Sequence, residues 1–198
     1  PSIGKYEENS SNFYDIYNNI AIGDYSNSKI YLGGGGQSGY SGGTKTNIVS
    51  RSVYSSGRNT YGQLGRIINT GYDTIPMQIT ETIDNSNIVA ISAGGEHSLF
   101  LDENGNVYSC GRNNYGQLGR TTDNTKIPLQ ITETIDNSNI VAISAGGEHS
   151  LFLDENGNVY SCGRNNYGQL GRTTDNTKIP LQITETIDNS NIVAISAG

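Results

Sequence analysis

A chain of 198 residues with a net charge of −7 and an isoelectric point near 4.7 excludes a general nucleic-acid partner, because phosphate binding needs a basic face and no polybasic stripe is present. No apolar run reaches the roughly 18 residues needed to span a bilayer, and no tripartite charged, apolar and small-residue leader opens the chain. Leu, Ile, Val and Phe make up about a fifth of the residues, near the level at which disorder sets in, but their strict placement argues for order.

That placement is an internal period. Residues 87–138 recur letter for letter as 139–190, and Asn87, Asn139 and Asn191 are spaced by 52 residues, as are Gly94, Gly146 and Gly198. A looser copy ends at Ser86, and a further one begins at Asn191 and stops at Gly198. A fixed period of this length marks stacked supersecondary units rather than separate domains. Gly supplies 26 residues, mostly at fixed positions of the unit, as expected where the backbone turns tightly or approaches a neighbour. The chain begins at Pro1 without an initiator Met and ends partway through a unit, so a leader or a longer flanking array is expected outside it.

Residues 1–18 are polar and Tyr-rich without a clear period, which reads as a partly ordered N-terminal segment. A divergent first unit occupies 19–86. Its Asn19-Ile20-Ala21-Ile22 and Ile30-Tyr31-Leu32 match later strands at an offset of 69, but by Val53-Tyr54 the offset is 54, which leaves 15 additional residues between its second and third strands. These lie in a Gly-, Ser- and Thr-rich stretch at 37–52, read as an elongated hairpin loop of the kind that carries function. Two more residues are inserted after Arg66.

The unit at 87–138 predicts strands at Ile88–Ala93, Ser98–Asp102, Asn106–Cys110 and Ile127–Thr132, with Asn104-Gly105 turning a hairpin and Pro128 requiring the fourth strand to lie at an edge. Four antiparallel strands in about 50 residues make a propeller blade. No apolar spacing holds a helical period over three turns. The unit at 139–190 repeats this reading, and 191–198 supplies only a first strand. Cys110 and Cys162 are one unit position seen twice. Sheets stacked about 10 Å apart do not bring such positions within the ~7 Å a disulfide needs, so both are read as small buried thiols.

The segments AGGEHSLFLDENGNVYSCGRNNYGQLGR at 93–120 and 145–172, with VYSSGRNTYGQLGR at 53–66, resemble the regulator of chromosome condensation repeat family. That family's pattern has a Gly before a His-Ser pair, a Gly-x-Val-Tyr hairpin, an aromatic-Gly step and a closing Gly-Gln-Leu-Gly. The resemblance covers 19–198 and implies an all-β fold of tandem four-stranded antiparallel blades of the β-propeller type. Ser56, Cys110 and Cys162 stand where the family usually has Trp. Kelch repeats have a similar length but also call for Trp, and this chain has none. Family rings of about seven blades would need about 360 residues at this period. The chain supplies about three and a half units, so an incomplete ring or an open, assembled array is expected.

Motifs that invite chemistry have plainer readings. His97 and His149 suit acid–base work by their ordinary pKa, but each is one copy of a repeated position, and the resemblance implies that the His-Ser pair places a strand by hydrogen bonding. Asp102, Asn104 and Asn106 open like a calcium loop, which would want Gly and Glu where Val107 and Asn113 stand. Gly42-Gly43-Thr44-Lys45-Thr46 echoes a phosphate loop without the Gly that must precede the Lys. No catalytic, metal or cofactor set emerges, so no enzyme is expected. Asn9-Ser10-Ser11 is a glycosylation sequon that matters only in a secreted protein.

Arg112, Arg120, Arg164 and Arg172, with Arg58 and Arg66 as counterparts, put two cations in each unit. They are read first as pairing with acidic residues or carbonyls between blades. The second reading is a contact surface together with Tyr115 and Tyr167, since Arg and Tyr are enriched at interfaces. Tyr40, Lys45 and Arg51 of the long loop complete the candidate contact residues.

The expected function is a non-enzymatic scaffold for protein interaction and self-assembly, outside the cell or at its surface, whose edge strands are completed by a neighbouring chain or by further repeats into a ring or filament. The resemblance also implies a guanine-nucleotide-exchange and chromatin regulator like the family's founding member, or an extracellular binder that inhibits an enzyme through the long loop.

Overall fold

The computed structural model describes residues 13–15, 20–22, 28–33, 38–39, 51–135, 139–184 and 192–198, with backbone alone for Ser86 and for the strands before Ser52. Asn9, Tyr40 and Lys45 lie outside the described residues, and the Arg51 side chain is likewise outside the description. The architecture is all-β. Strands β1 (Phe13–Asp15), β2 (Ile20–Ile22), β3 (Ser28–Gly33), β4 (Ser38–Gly39), β5 (Arg51–Arg58) and β6 (Tyr72–Gln78) precede the two identical units. These units supply β7 (Ile88–Ala93), β8 (His97–Asp102), β9 (Val107–Gly111) and β10 (Thr125–Gln130), then β11 (Ile140–Ala145), β12 (His149–Asp154), β13 (Val159–Gly163) and β14 (Thr177–Gln182). Among the described residues the only helical element is a 3-10 turn at Asn85–Asn87.

β7 to β10 and β11 to β14 form antiparallel sheets in sequence order, one blade each. Within these two units the expected strands are all present, shifted by no more than two residues at either end, whereas residues 192–198, expected to supply the first strand of a further unit, form no strand. Asn104-Gly105 does turn the β8–β9 hairpin. The connection is 103–106, with Gly105 at φ +82° and its N–H donated to the Asp102 carbonyl, a turn closed by a left-handed Gly. Pro128 sits on the outermost strand, where its missing N–H costs no ladder bond, and the β9–β10 register shifts between Thr125 and Leu129 around it.

The first unit differs. β3 pairs with β5 in parallel, from Ser28 opposite Arg51 to Gly33 opposite Ser56, and β5 pairs with β6 antiparallel. A hairpin joins antiparallel strands only, so the elongated hairpin expected at 37–52 is corrected to a crossover. The physical reason is length. Parallel neighbours need a connection of about a dozen residues or more, which the insertion supplies. Within the crossover, β4 adds to the edge of the second blade, with Ser38 opposite Ala93 and Gly39 opposite Ser92.

The blades stack face to face, and their middle strands are buried on both sides. All of β8 is buried, which is why His-Ser-Leu-Phe-Leu-Asp reads as a near-continuous run and not as an alternation. Successive side chains point to opposite faces. Phe100 packs with Val53, Ile79 and Ile83 of the first unit, whereas Leu99 and Leu101 pack with Ile140, Ile143 and Phe152 of the third sheet. Each such burial is worth about 1.5–3 kcal/mol. Cys110 and Cys162 are unpaired thiols buried in these two layers, as expected, and burial pushes each up to about 12.

Between units, side chains also reach the neighbouring backbone. Ser98 donates to the Gln63 carbonyl and Ser150 to the Gln117 carbonyl, each at 2.7 Å, so the Ser of every His-Ser pair ties to the Gly-Gln-Leu-Gly loop of the preceding unit. The same loop lies against the outermost strand of the following blade. A Cβ on Gly116 (φ +92°) would stand 2.3 Å from the Lys178 Cα, whereas one on Gly168 (φ +80°) would meet nothing within 4 Å. Gly116→Ala is therefore expected to lower stability by the left-handed strain of about 1–2 kcal/mol plus the cost of separating two blades, and Gly168→Ala by the strain alone. Urea unfolding of the two variants should show Gly116→Ala clearly the weaker. In thiol titration with a disulfide reagent, Cys110 and Cys162 should stay silent in native buffer and both react in denaturant.

Candidate interaction surface and the Arg–Glu–Tyr ladder

The loops after the third strand of each blade are held by their own side chains. Asn113 accepts from the Leu118 N–H at 2.9 Å and donates to the Arg120 carbonyl at 2.8 Å, and Gln117 accepts from the Tyr115 N–H at 3.1 Å. Asn165 and Gln169 repeat this around Tyr167, and Asn59 and Gln63 repeat the two N–H contacts around Tyr61. The Asn-Asn-Tyr-Gly-Gln-Leu-Gly string thus closes into a rigid loop that presents its Tyr at a set height.

On that height runs a ladder. Glu96 bridges Arg58 at 3.1 Å and Arg112 at 2.6 Å, and Glu148 bridges Arg112 at 3.6 Å and Arg164 at 2.5 Å. Tyr rings interleave with the cations: Arg112 lies 5.2 Å from the Tyr61 ring centroid and 5.8 Å from that of Tyr115, and Arg164 lies 5.2 Å from Tyr115 and 5.5 Å from Tyr167. The hydrogen bonds that Arg112 donates to Glu96 and Arg164 to Glu148 raise the pKa of the two guanidinium groups. Arg112 thus pairs with Glu96 within its own blade and with Glu148 of the next, the first of the two readings, whereas Arg164 pairs with Glu148 inside one blade, and Tyr115 and Tyr167 join them at the same surface. Glu96, Glu148 and Tyr61 were not singled out by sequence reasoning, although the constant separation from Glu96 to Arg112 and from Glu148 to Arg164 could have marked the pairs.

Arg120 and Arg172 belong elsewhere. Arg120 is buried and donates to the Ser109 carbonyl and hydroxyl, each at 2.8 Å, and to the Leu129 carbonyl at 2.7 Å. Arg172 donates to the Ser161 carbonyl at 2.6 Å and the Leu181 carbonyl at 2.8 Å. These cations clamp the third strand to the fourth within one blade, which corrects the expectation that Arg120 presents a contact surface: its guanidinium is spent on carbonyls. Burial pulls the Arg120 guanidinium down to about 10, still charged at neutral pH.

The chemical motifs resolve in the same way. Asp102 accepts from the Asn104 and Asn106 N–H groups at 2.9 Å and from the Asn106 side chain at 2.8 Å, so the calcium-like triplet is a self-satisfied turn. His97 is buried, with Nε2 2.9 Å from the Ser150 Oγ. Because the Ser150 proton goes to the Gln117 carbonyl, His97 is the donor here, neutral and protonated at Nε2, with its Nδ1 buried and without a partner. Burial, assisted by His149, lowers the His97 pKa to about 3, and burial lowers that of His149 as well. A ring so enclosed holds blades together and meets no substrate.

The sign of the pH effect follows. The unfolded state, with the ordinary His value near 6.5, takes up a proton that folded His97 refuses, so stability is full above about pH 6.5 and falls as pH drops towards 3. The loss due to His97 should reach about 2 kcal/mol at pH 5. Urea unfolding at pH 7 and pH 5 measures it, and His97→Gln should remove that part of the slope.

One region breaks the repetition. Where the second and third units have polar Thr121-Thr122 and Asn124, and Thr173-Thr174 and Asn176, the first has Ile67-Ile68 and Tyr72. With Ile75 and Met77 of β6, the exposed members Ile67, Tyr72, Ile75 and Met77 are 65%, 66%, 65% and 51% accessible. At the opposite end of the stack Tyr167 is 84% accessible, while Tyr61 and Tyr115 are half-buried.

Comparison with known proteins accords with this geometry. The family model described as "Regulator of chromosome condensation (RCC1) repeat" matches residues 52–101, 104–153 and 156–198, and a second of the same description matches 88–117 and 140–169. The probable E3 ubiquitin-protein ligase HERC4 of Mus musculus is 33% identical over 127 residues, 64% of this chain and 12% of that protein. The Protein RCC2 homolog of Danio rerio is 37% identical over 126 residues, 62% of this chain and 24% of that one. The chain therefore spans a quarter or less of the length of these relatives. Among solved structures, Prp20p from Saccharomyces cerevisiae superposes with a TM-score of 0.61 at 26% identity, covering 68% of this chain and 34% of that one. The matched segments 52–101 and 104–153 each run from the outer strands of one sheet into the first two strands of the next, the same staggering that the blade contacts show, and this chain belongs to the regulator of chromosome condensation (RCC1) repeat family of β-propeller proteins.

Proposed function

We propose that this chain is a protein-binding scaffold without a catalytic centre, whose partners are other protein chains, copies of itself among them. The observation that carries the reading is the division between interior and surface. His97, Cys110 and Arg120, the groups with chemical capacity, are buried and engaged in packing, and what the surface offers is a ladder of Arg and Tyr and one exposed apolar patch on β6. Arg, Tyr and Met are interface residues, and a patch of this kind marks an interaction site. The enzymatic name among the relatives belongs to a protein of which the matched segment is 12%, so it lends no activity to these repeats. Sedimentation velocity on the 198-residue chain should show the weight-average mass rising with concentration in the micromolar range. A constant monomer mass would count against self-association.

A second reading is favoured by one observation: Prp20p, similar in fold at 26% identity, is described together with its binding to Gsp1p and histones. The net charge of −7 opposes a chromatin role. In a fluorescent-nucleotide release assay with Gsp1p, the scaffold reading expects no acceleration by this chain, and a concentration-dependent acceleration would replace it with exchange activity.

A further inference from the structure

We infer that Asn104 and Asn156 are sites of spontaneous covalent modification, at which the side-chain amide is exchanged for a carboxylate through a cyclic imide formed with the following glycine. Asn104-Gly105 and Asn156-Gly157 are the two Asn-Gly steps of the sequence, and each sits in the turn between the second and third strands of a blade. The fold leaves the electrophile open. Both Asn side chains are exposed, and their amides take no hydrogen-bond partner among the described residues. Asn113 and Asn165, by contrast, spend their amides on the carbonyls of Arg120 and Arg172, and Asn106 and Asn158 spend theirs on the carboxylates of Asp102 and Asp154. Asn104 belongs to the middle blade, packed on one side against the first unit and on the other against the third sheet, so its exposure is that of an interior blade. A residue with a Cβ after the Asn would crowd the closing ring, and Gly105 and Gly157, at φ +82° and +83°, have none.

In the first step the Gly105 nitrogen attacks the Asn104 Cγ. A C–N bond forms there, the bond from Cγ to the side-chain nitrogen breaks, and ammonia departs with the proton that Gly105 gives up. Water then opens the ring at one of its two carbonyls. Opening at the main-chain carbonyl leaves isoaspartate, and opening at Cγ leaves aspartate, so water is consumed and ammonia released. The turn sets the pace. The Gly105 N–H donates to the Asp102 carbonyl at 3.1 Å, and the Asn104 N–H donates to the Asp102 carboxylate at 2.9 Å; Gly157 and Asn156 repeat both contacts with Asp154. The nitrogen that must attack is therefore a bound donor, and the folded chain should react about fivefold more slowly than the unfolded one, the factor that one net hydrogen bond confers. The consequence falls on the blade junction. A Cβ on Gly105 would stand 2.9 Å from the Asn139 Cα, so the turn rests on the residue that leads into β11. Isoaspartate lengthens the main chain immediately before that contact, and either product sets a new carboxylate beside Asp102 and Glu103.

Incubation of the 198-residue chain in mildly alkaline buffer, followed by tryptic digestion and fragmentation mass spectrometry, tests the assignment. Trypsin releases Asn104 within 67–112 and Asn156 within 127–164, so the two identical turns are read separately. Aspartate and isoaspartate should accumulate at Asn104 and Asn156 ahead of every other Asn in these peptides, and about fivefold faster when the incubation is made in guanidinium chloride. Asn104→Ser should abolish the product in the first peptide and leave that in the second unchanged. After incubation, wild type should unfold at a lower urea concentration than an Asn104→Ser, Asn156→Ser double variant treated alike. Conversion led by another Asn, or confined to the denatured sample, would overturn the two sites. Equal rates in buffer and denaturant would overturn the restraint by the Asp102 and Asp154 carbonyls, and equal urea midpoints after conversion would overturn the effect on the junction.

Discussion

The close approach of one unit's Gly-Gln-Leu-Gly loop to the outermost strand of the next is the constraint on which the rest depends. Backbone meets backbone there, with no room for a Cβ at Gly62 or Gly116. That contact sets the distance and rotation between blades, and the other inter-blade bonds follow from it. Ser98 and Ser150 reach the Gln63 and Gln117 carbonyls because those loops are held in place, and the Ala145 N–H finds the Ser92 hydroxyl at 2.9 Å between neighbouring first strands. With the spacing set, Phe100 and Leu101 can each fill a layer on opposite faces of one strand.

The staggering of sequence units over sheets gives this stacking covalent support. A matched segment such as 104–153 contributes β9 and β10 to one sheet and β11 and β12 to the next, so neighbouring blades are joined by chain as well as by packing. Nearest-neighbour contacts of one repeating type are the general basis of repeat-protein stability.

The same repetition separates structure from recognition. Residues that look reactive, His97, Cys110 and Arg120, recur with the identical unit and lie inside the blade stack. The Arg–Glu–Tyr ladder is duplicated as well, but at the surface, where neighbouring units share each Glu between two Arg. Partly exposed ion pairs of this type contribute little individually, and their networked geometry orders the surface more than it stabilises the fold. The pattern itself is broken at Ile67, Ile68 and Tyr72, where the other units have Thr and Asn.

The blade strands, the edge position of Pro128, the buried thiols and the absence of a helical period were legible in the sequence, because strand alternation, turn residues and a fixed period are local properties. The parallel pairing of β3 with β5 was not, since an insertion of Gly, Ser and Thr reads the same whether it closes a hairpin or makes a crossover. The buried role of Arg120 escaped for a similar reason: its partners are carbonyls, which every residue has. The sequence by itself determined the unit, its strands and its family. Only the tertiary structure decided which Arg faces solvent, which Glu it shares, and which Pro is covered by a neighbour, because those outcomes depend on how one identical unit is placed against the next.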